Sequence, residues 1–383
     1  MLRLAFLLIA SSCCYGDFSG YLKSFALIQD EVPVFEPNKT YQSQNSLRLM
    51  WSETNPVFAW EFHYELSPVF KSRSSGLGNQ TLATTGDAYR LTDIDNTLTD
   101  DNKRQTYQNL DRLNIQLHFS QGDLTIGRQA IALGSARIIN PTDVFIPFNV
   151  QTFNQEYRIG IDAIRFQAPM GELGEFDIGV VMGDSADTSA LFVQLKRNIS
   201  GNDLQFSASR FARQSMAGFG VQSALGSFGF WFEAATVQGD EDYTNASVGL
   251  DYAFGDNVFA QAEYHYNGAG SKTPVNYLGN LQTIPYQRGG VFLLGQHYII
   301  PVISFRPSAL WSIALQGVFN LDDNSAFTSI SAEYNATENI YMDIGLYRFK
   351  GDSIKISQTG AIELTSEYGI SPNLAFFSVR YYF

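Results

Sequence analysis

Period-two alternation of apolar and polar side chains recurs along most of this chain, and it restricts the fold more than any other feature. Residues 56–66 place Phe58, Trp60, Phe62 and Tyr64 on one face and Ala59, Glu61, His63 and Glu65 on the other. Residues 112–119 set Leu113, Ile115, Leu117 and Phe119 against Arg112, Asn114, Gln116 and His118. Val248, Leu250, Tyr252 and Phe254 repeat the pattern, as do Trp311, Ile313 and Leu315. Each of these strands has one uniformly apolar face, and no helical segment is expected to cover it. A soluble sandwich would bury such faces against each other. A barrel with lipid outside and water inside leaves them where they are, and it suits a chain with 14% aromatic and only 16% charged residues. The most apolar stretch, 291–315, is cut by His297, Pro301, Arg306 and Pro307. It therefore lacks the ~20 continuous apolar residues of a spanning helix.

The connections sharpen this reading. One set is short and falls at 54–55, 121–122, 170–174, 201–202, 226, 255–256, 306–307 and 337–338. The other set holds every long loop: 29–43, 67–108, 133–158, 268–293 and 350–372. Short turns on one side and long loops on the other are the asymmetry of a transmembrane barrel. The expected fold is all-β: a transmembrane antiparallel β-barrel of about 18 strands (16–18), with long extracellular loops and one loop folded into the lumen. A barrel of that width leaves an aqueous channel.

The loop expected in the lumen is 133–158. It is rich in Ile138, Ile139, Val144, Phe145, Ile146, Phe148 and Phe153, and Pro141 and Pro147 stiffen it. A long apolar loop between two strands needs a surface to fold against. The loop adds Arg137, Asp143, Glu156 and Arg158 to the candidate constriction; folded inward, Asp143 and Glu156 are expected to face the wall arginines and narrow the pore. On the wall, alternation points Arg48, Arg112, Arg165, Lys196 and Arg380 inward. These bases fall mostly on the first half of the strands and on the closing one. The inward acids Asp251, Glu263, Glu333 and Asp343, with Glu233 beside them, fall on the second half, while Glu61 and Glu65 interrupt the basic side. Opposed arcs of charge set a transverse field that tunes ion selectivity; simple solvation of lumen residues is the plainer reading. Arg128 and Arg165 interrupt apolar alternation. An arginine facing lipid at mid-depth costs about 2–4 kcal/mol, so β-bulges near Gly127 or Ala163 are expected to turn both inward. Asp162 completes the candidate pore-lining set.

The N-terminus reads as a signal peptide over 1–16: Arg3, the apolar core Leu4 to Ala10, and small residues before a cleavage point after Gly16. Acylation at Cys13 is the competing reading. Residues 17–383 then form a single barrel domain. Cleavage removes Cys13 and Cys14, the chain's two cysteines. The net charge of −13 argues against a nucleic-acid partner. The segment 93–101 offers carboxylates to Ca²⁺ but lacks the glycine and spaced glutamate of an EF-hand loop. His63, His118, His265 and His297 have no metal-ligand spacing, and no catalytic motif stands out. No metal, cofactor or enzymatic activity is expected.

Two resemblances bear on identity. Val379, Tyr381 and Phe383 end an alternating apolar segment, which resembles the C-terminal signal by which bacterial outer-membrane barrels are recognised for insertion. Gly127-Arg128-Gln129, Asn140-Pro141-Thr142-Asp143 and Gly160-Ile161-Asp162-Ala163 resemble a porin-like barrel family of Gram-negative bacteria. That resemblance covers about 40 residues and fixes no substrate. It implies an outer-membrane channel for passive diffusion of small hydrophilic solutes or ions. Lipid, lipopolysaccharide and the barrel-assembly machinery would be its partners, with a homotrimer as its assembly. The alternative is a barrel sheath around a partner such as a periplasmic or extracellular multihaem cytochrome.

Overall fold

The computed structural model describes residues 16–32, 38–72, 89–92, 96–101, 103–149, 152, 156–356 and 362–383. The signal-peptide expectation lies outside them, apart from Gly16. The strands are β1 (Asp17–Gln29), β2 (Thr40–Thr54), β3 (Phe58–Lys71), β4 (Asn96–Asp101), β5 (Arg104–Phe119), β6 (Gly122–Gln129), β7 (Ile161–Pro169), β8 (Gly174–Val181), β9 (Ala190–Ile199), β10 (Asn202–Phe211), β11 (Gln214–Leu225), β12 (Phe228–Gln238), β13 (Tyr243–Phe254), β14 (Val258–Asn267), β15 (His297–Ser308), β16 (Trp311–Asn320), β17 (Ala326–Thr337), β18 (Ile340–Lys350), β19 (Lys355–Ile356), β20 (Ile362–Glu363) and β21 (Leu374–Tyr382). Eighteen of them close into one antiparallel barrel. Strand β21 pairs with β18 on one side and β1 on the other, which leaves no open edge. Strand β4 is a hairpin extension of β5, and β19 pairs only with β20.

Closure follows from pairing at every step, and the alternation decides which face points out. Phe206, Leu250, Ile299, Ile330, Ile344 and Phe377 stand on the outward face and are exposed. At one end the connections are two to four residues long, as at 120–121, 226–227 and 338–339. Gly226 has φ 65°, the left-handed conformation such a turn requires. The long connections all lie at the other end. The expected turn at 306–307 moves to 309–310, because a register shift between Phe305 and Ser308 lets β15 continue past Pro307. The connection 268–296 carries two short helical segments, α1 (Tyr277–Asn280) and α2 (Ile284–Arg288), which the alternation did not anticipate. They are too short to show a helical period. The candidate Ca²⁺ loop is largely β4: Asp101 Oδ1 accepts the amides of Lys103 and Arg104 and so closes a hairpin turn. Residues 93–95 lie outside the described residues.

Gly249 on β13 sits between Trp231 on β12 and Glu263 on β14 in register. A Cβ there would lie 2.1 Å from the Trp231 ring. Trp231 is fully buried and donates its indole N–H to Glu263 at 2.7 Å. Gly249→Ala must therefore move that ring. We expect a destabilisation of about 1–3 kcal/mol, typical of overpacking and read as a lower thermal midpoint. An unchanged midpoint would show that the ring has room to shift.

The extracellular connections are tied together by one carboxyl. Glu367 accepts from the Leu294 amide, the Tyr298 hydroxyl and Asn320 Nδ2, while its own amide donates to Asp323. Burial, opposed by these hydrogen bonds, pushes the Glu367 carboxyl up to about 7. Its protonated form is thus favoured by folding. The contribution is fully present below the ordinary value of 4.5 and is lost as pH rises through about 7. The loops should resist external protease better at pH 5 than at pH 8, and Glu367→Gln should flatten that difference. Equal cleavage of the wild type at both pH values would contradict this.

Candidate functional site: the charged inner face

The segment 131–146 folds against the inward face of the wall. Ile131, Leu133, Val144 and Phe145 form one buried apolar cluster with Ala163, Val181, Phe192, Phe211, Ala235 and Val237 of β7 to β12. This is why Ile161 and Ala163 are apolar on an inward face: their partner is the chain itself, not water. Two wall carboxylates then hold the segment by its backbone. Glu233 on β12 accepts from the amides of Ser135, Ala136 (2.7 Å) and Thr142 (2.8 Å), and from the hydroxyls of Ser135 and Thr142. Glu263 on β14 accepts from the amides of Ile138 and Ile139. Ser247 on β13 donates to the Ile139 carbonyl at 2.7 Å. Arg137 pairs with Asp251 on β13. Ile146 is held at φ 50°, a strained backbone for a β-branched residue, which its packing on the apolar cluster offsets.

These contacts correct the charge map expected from alternation. Glu263 and Glu233 are buried anchors for a loop, and Asp251 is paired to that loop. Asp143 does not face the wall arginines. It pairs with Arg158 within the same connection, at 2.8 Å to Nη1. Glu156 does reach the wall, where it meets Lys23 of β1 and the Tyr382 hydroxyl of β21. Burial alone would raise the Glu156 carboxyl, but the Lys23 ammonium and the Tyr382 hydroxyl hold it below the usual carboxylate range.

No bulge occurs at Gly127 or Ala163. The registers of β5, β6 and β7 run unbroken there, with Arg128 opposite Asp162. Arg165 needs none, because it already stands on the inward face, where it pairs with Asp177 at 2.6 Å. Arg128 keeps its outward parity and is buried regardless. Asp162 takes its guanidinium at 2.8 and 3.0 Å, and the carbonyls of Leu110 and Thr92 accept its remaining donors. Arg128 thus fills the gap where β5 and β6 part company.

The bulge lies instead in β5. His63 pairs with Arg112 and Tyr64 with Leu110, so Asp111 is the extra residue. It turns inward beside Arg112 instead of facing lipid. There Asp111 meets three arginines: Arg48 of β2, Arg112 at 2.8 Å, and Arg90 at 3.8 Å. It also accepts the Gly160 amide at 2.8 Å. Arg112 donates to the Arg158 carbonyl, and Arg48 lies over the Tyr157 ring at 4.3 Å. Arg48 also pairs with Glu65 at 3.2 Å. Next along the ring, Arg380 pairs with Asp343 at 2.8 Å and with Glu333. Lys196 on β9 has no ion pair among the described residues. Val379, Tyr381 and Phe383 lie on the outward face, with Tyr381 and Phe383 exposed.

Sequence reasoning missed Lys23, Arg90 and Asp111. Lys23 was within reach, since it shares the inward parity of Tyr21 and Phe25 on β1. Asp111 was hidden, because only the bulge puts it on the same side as Arg112.

A closed eighteen-strand barrel with an apolar exterior and a charged inner face has the fold of the bacterial outer-membrane porins. The solved structures agree. OccK7 (OpdD) of Pseudomonas aeruginosa superposes with a TM-score of 0.58 at 12% identity, covering 97% of this chain and 99% of its own. OccAB4 of Acinetobacter baumannii gives 0.58 at 9%, covering 96% and 98%. OccK5 (OpdH) of Pseudomonas aeruginosa gives 0.55 at 11%, also covering 96% and 98%. No protein-family model matches the chain, and no curated protein matches it in sequence.

Proposed function

We propose that this protein is an outer-membrane channel for passive diffusion of small hydrophilic solutes or ions, in which 133–158 lies in the lumen as the constriction loop. The carrying observation is the closed barrel whose outward face is apolar while one arc of its inner face keeps partly exposed charged side chains, among them Glu65, Glu333 and Arg380. The loop's anchoring to Glu233 and Glu263 supports its role in setting the width. No covalent chemistry is required. Residues 1–16 serve as the export signal and Val379, Tyr381 and Phe383 as the insertion signal in this reading. Contact with lipid and lipopolysaccharide, and a homotrimeric assembly, belong to the same proposal. The sheath reading gains no support, since the chain's own loop residues occupy inward surface that an enclosed cytochrome would need. Purified protein reconstituted in a planar bilayer should give discrete conductance steps. Silence from barrels shown to be folded by heat-modifiable gel migration would remove this reading.

A further inference from the structure

A small cavity lies where two connections meet the wall. Residues within 139–143 and 289–293 line one side, and Asn245 of β13 with His265 and Asn267 of β14 line the other. It measures about 20 Å³, room for one water-sized occupant. Three acceptors on the buried side chains that line it lack a donor. Asn267 Nδ2 donates to the carbonyls of Leu293 (2.6 Å) and Gly295 (3.0 Å), which fixes the amide and leaves its Oδ1 unpartnered. Arg158 holds the Asp143 carboxylate through Oδ2, and Oδ1 has no partner. The third acceptor is a ring nitrogen. Ser247 gives its single proton to the Ile139 carbonyl, so its oxygen accepts from His265 Nδ1 at 2.8 Å. The neutral ring then carries its proton on Nδ1, and Nε2 is a lone pair with no hydrogen-bond partner among the described residues.

The surroundings are also short of positive charge. Arg158 balances Asp143, and Arg137 balances Asp251. Glu233 and Glu263, which hold the same loop, take amide, hydroxyl and indole donors and form no ion pair among the described residues. A buried acceptor without a donor is costly. A cation satisfies all three at once, and the two unbalanced carboxylates favour it over a neutral occupant. We propose that this cavity is a site for one divalent transition-metal ion of the zinc class, held by His265 Nε2, Asp143 Oδ1 and Asn267 Oδ1. The imidazole decides the class: calcium and magnesium take oxygen ligands, whereas zinc accepts imidazole nitrogen together with carboxylate oxygen. A metal-bound histidine donates its other N–H to a fixed acceptor, as His265 does to Ser247. The ion ties the connection 133–158 to β14. Asp143 lies far from His265 in the chain, so no ligand spacing marks the site in the sequence.

The test is calorimetric titration of the purified full-length protein in detergent with Zn²⁺, after dialysis against a chelator, for the wild type and His265→Gln. The wild type should take up a single Zn²⁺, and its thermal midpoint should rise, since an ion bound only by the folded state stabilises it. The same concentration of Ca²⁺ should leave the midpoint unchanged. His265→Gln keeps a donor for Ser247 but has no ring nitrogen, and it should lose the uptake. No Zn²⁺ uptake by the wild type, undiminished uptake by the folded variant, or equal stabilisation by Ca²⁺ would overturn the site. If the variant does not fold, crystals of the wild type grown with Zn²⁺ decide the matter by anomalous scattering at the zinc edge. A peak bonded to His265 Nε2 and Asp143 Oδ1 supports the site, and an ordered water in that place, or zinc only at the outer surface, overturns it. Conductance enters none of these outcomes, so the channel reading stands or falls separately.

Discussion

Glu233→Ala should widen the channel and loosen the barrel together. The wild-type carboxylate takes donors from three residues of one loop, Ser135, Ala136 and Thr142. It does so from a position with no exposure to solvent. A buried amide left without a partner costs about 1–3 kcal/mol, so the loop has little reason to stay against β12 once the acceptor is gone. The neighbouring anchor, Glu263, holds only Ile138 and Ile139. We expect a larger single-channel conductance with more open-channel noise, and a lower thermal midpoint. Glu233→Gln should do the same more weakly, since one oxygen remains while the new NH₂ faces amide donors. Conductance and midpoint both equal to wild type would mean that the loop is held by its apolar face alone.

Asp111→Ala is expected to be the most destabilising single change in the wall. It withdraws the carboxylate from Arg48, Arg90 and Arg112, and the acceptor from the Gly160 amide. Breaking a buried ion pair by removing one partner costs about 3–5 kcal/mol, because the remaining charge is left uncompensated. Arg48 retains Glu65, but Arg112 keeps only carbonyl partners. The heat-modifiable band should convert at a markedly lower temperature. Asp111→Asn, which preserves shape without charge, should share most of the loss. If the asparagine variant melts like wild type, the cluster is held by hydrogen bonding alone and its charge is immaterial.

The neighbourhood of Asp111 also shows how far a sequence can be read. Alternation assigned Arg112 inward and was right, since a strand's faces are a matter of counting by two. It assigned nothing to Asp111, because a bulge is a miscount relative to a partner strand, and only the pairing of His63 with Arg112 and Tyr64 with Leu110 reveals it. Arg128 failed in the opposite sense. Alternation placed it outward and the cost of lipid argued for a bulge, yet the residue stays outward and is sheltered by Asp162 and the Thr92 carbonyl.

What the sequence determined by itself was the barrel: strand number, the sorting of long and short connections to opposite ends, and closure through the last strand. These follow from local alternation and from the bilayer's demand that every backbone group in hydrocarbon be paired. Which charges meet water was decided only by the tertiary structure. Glu233, Asp251 and Glu263 look like lumen charges on their strands, and a loop about 100 residues away in sequence turns them into anchors. Lys23 and Arg48 look like a basic wall, and Glu156 and Glu65 cover them. Such pairings join residues far apart in the chain, and the orientation of each pair depends on packing around both members at once, which no pattern along one strand records.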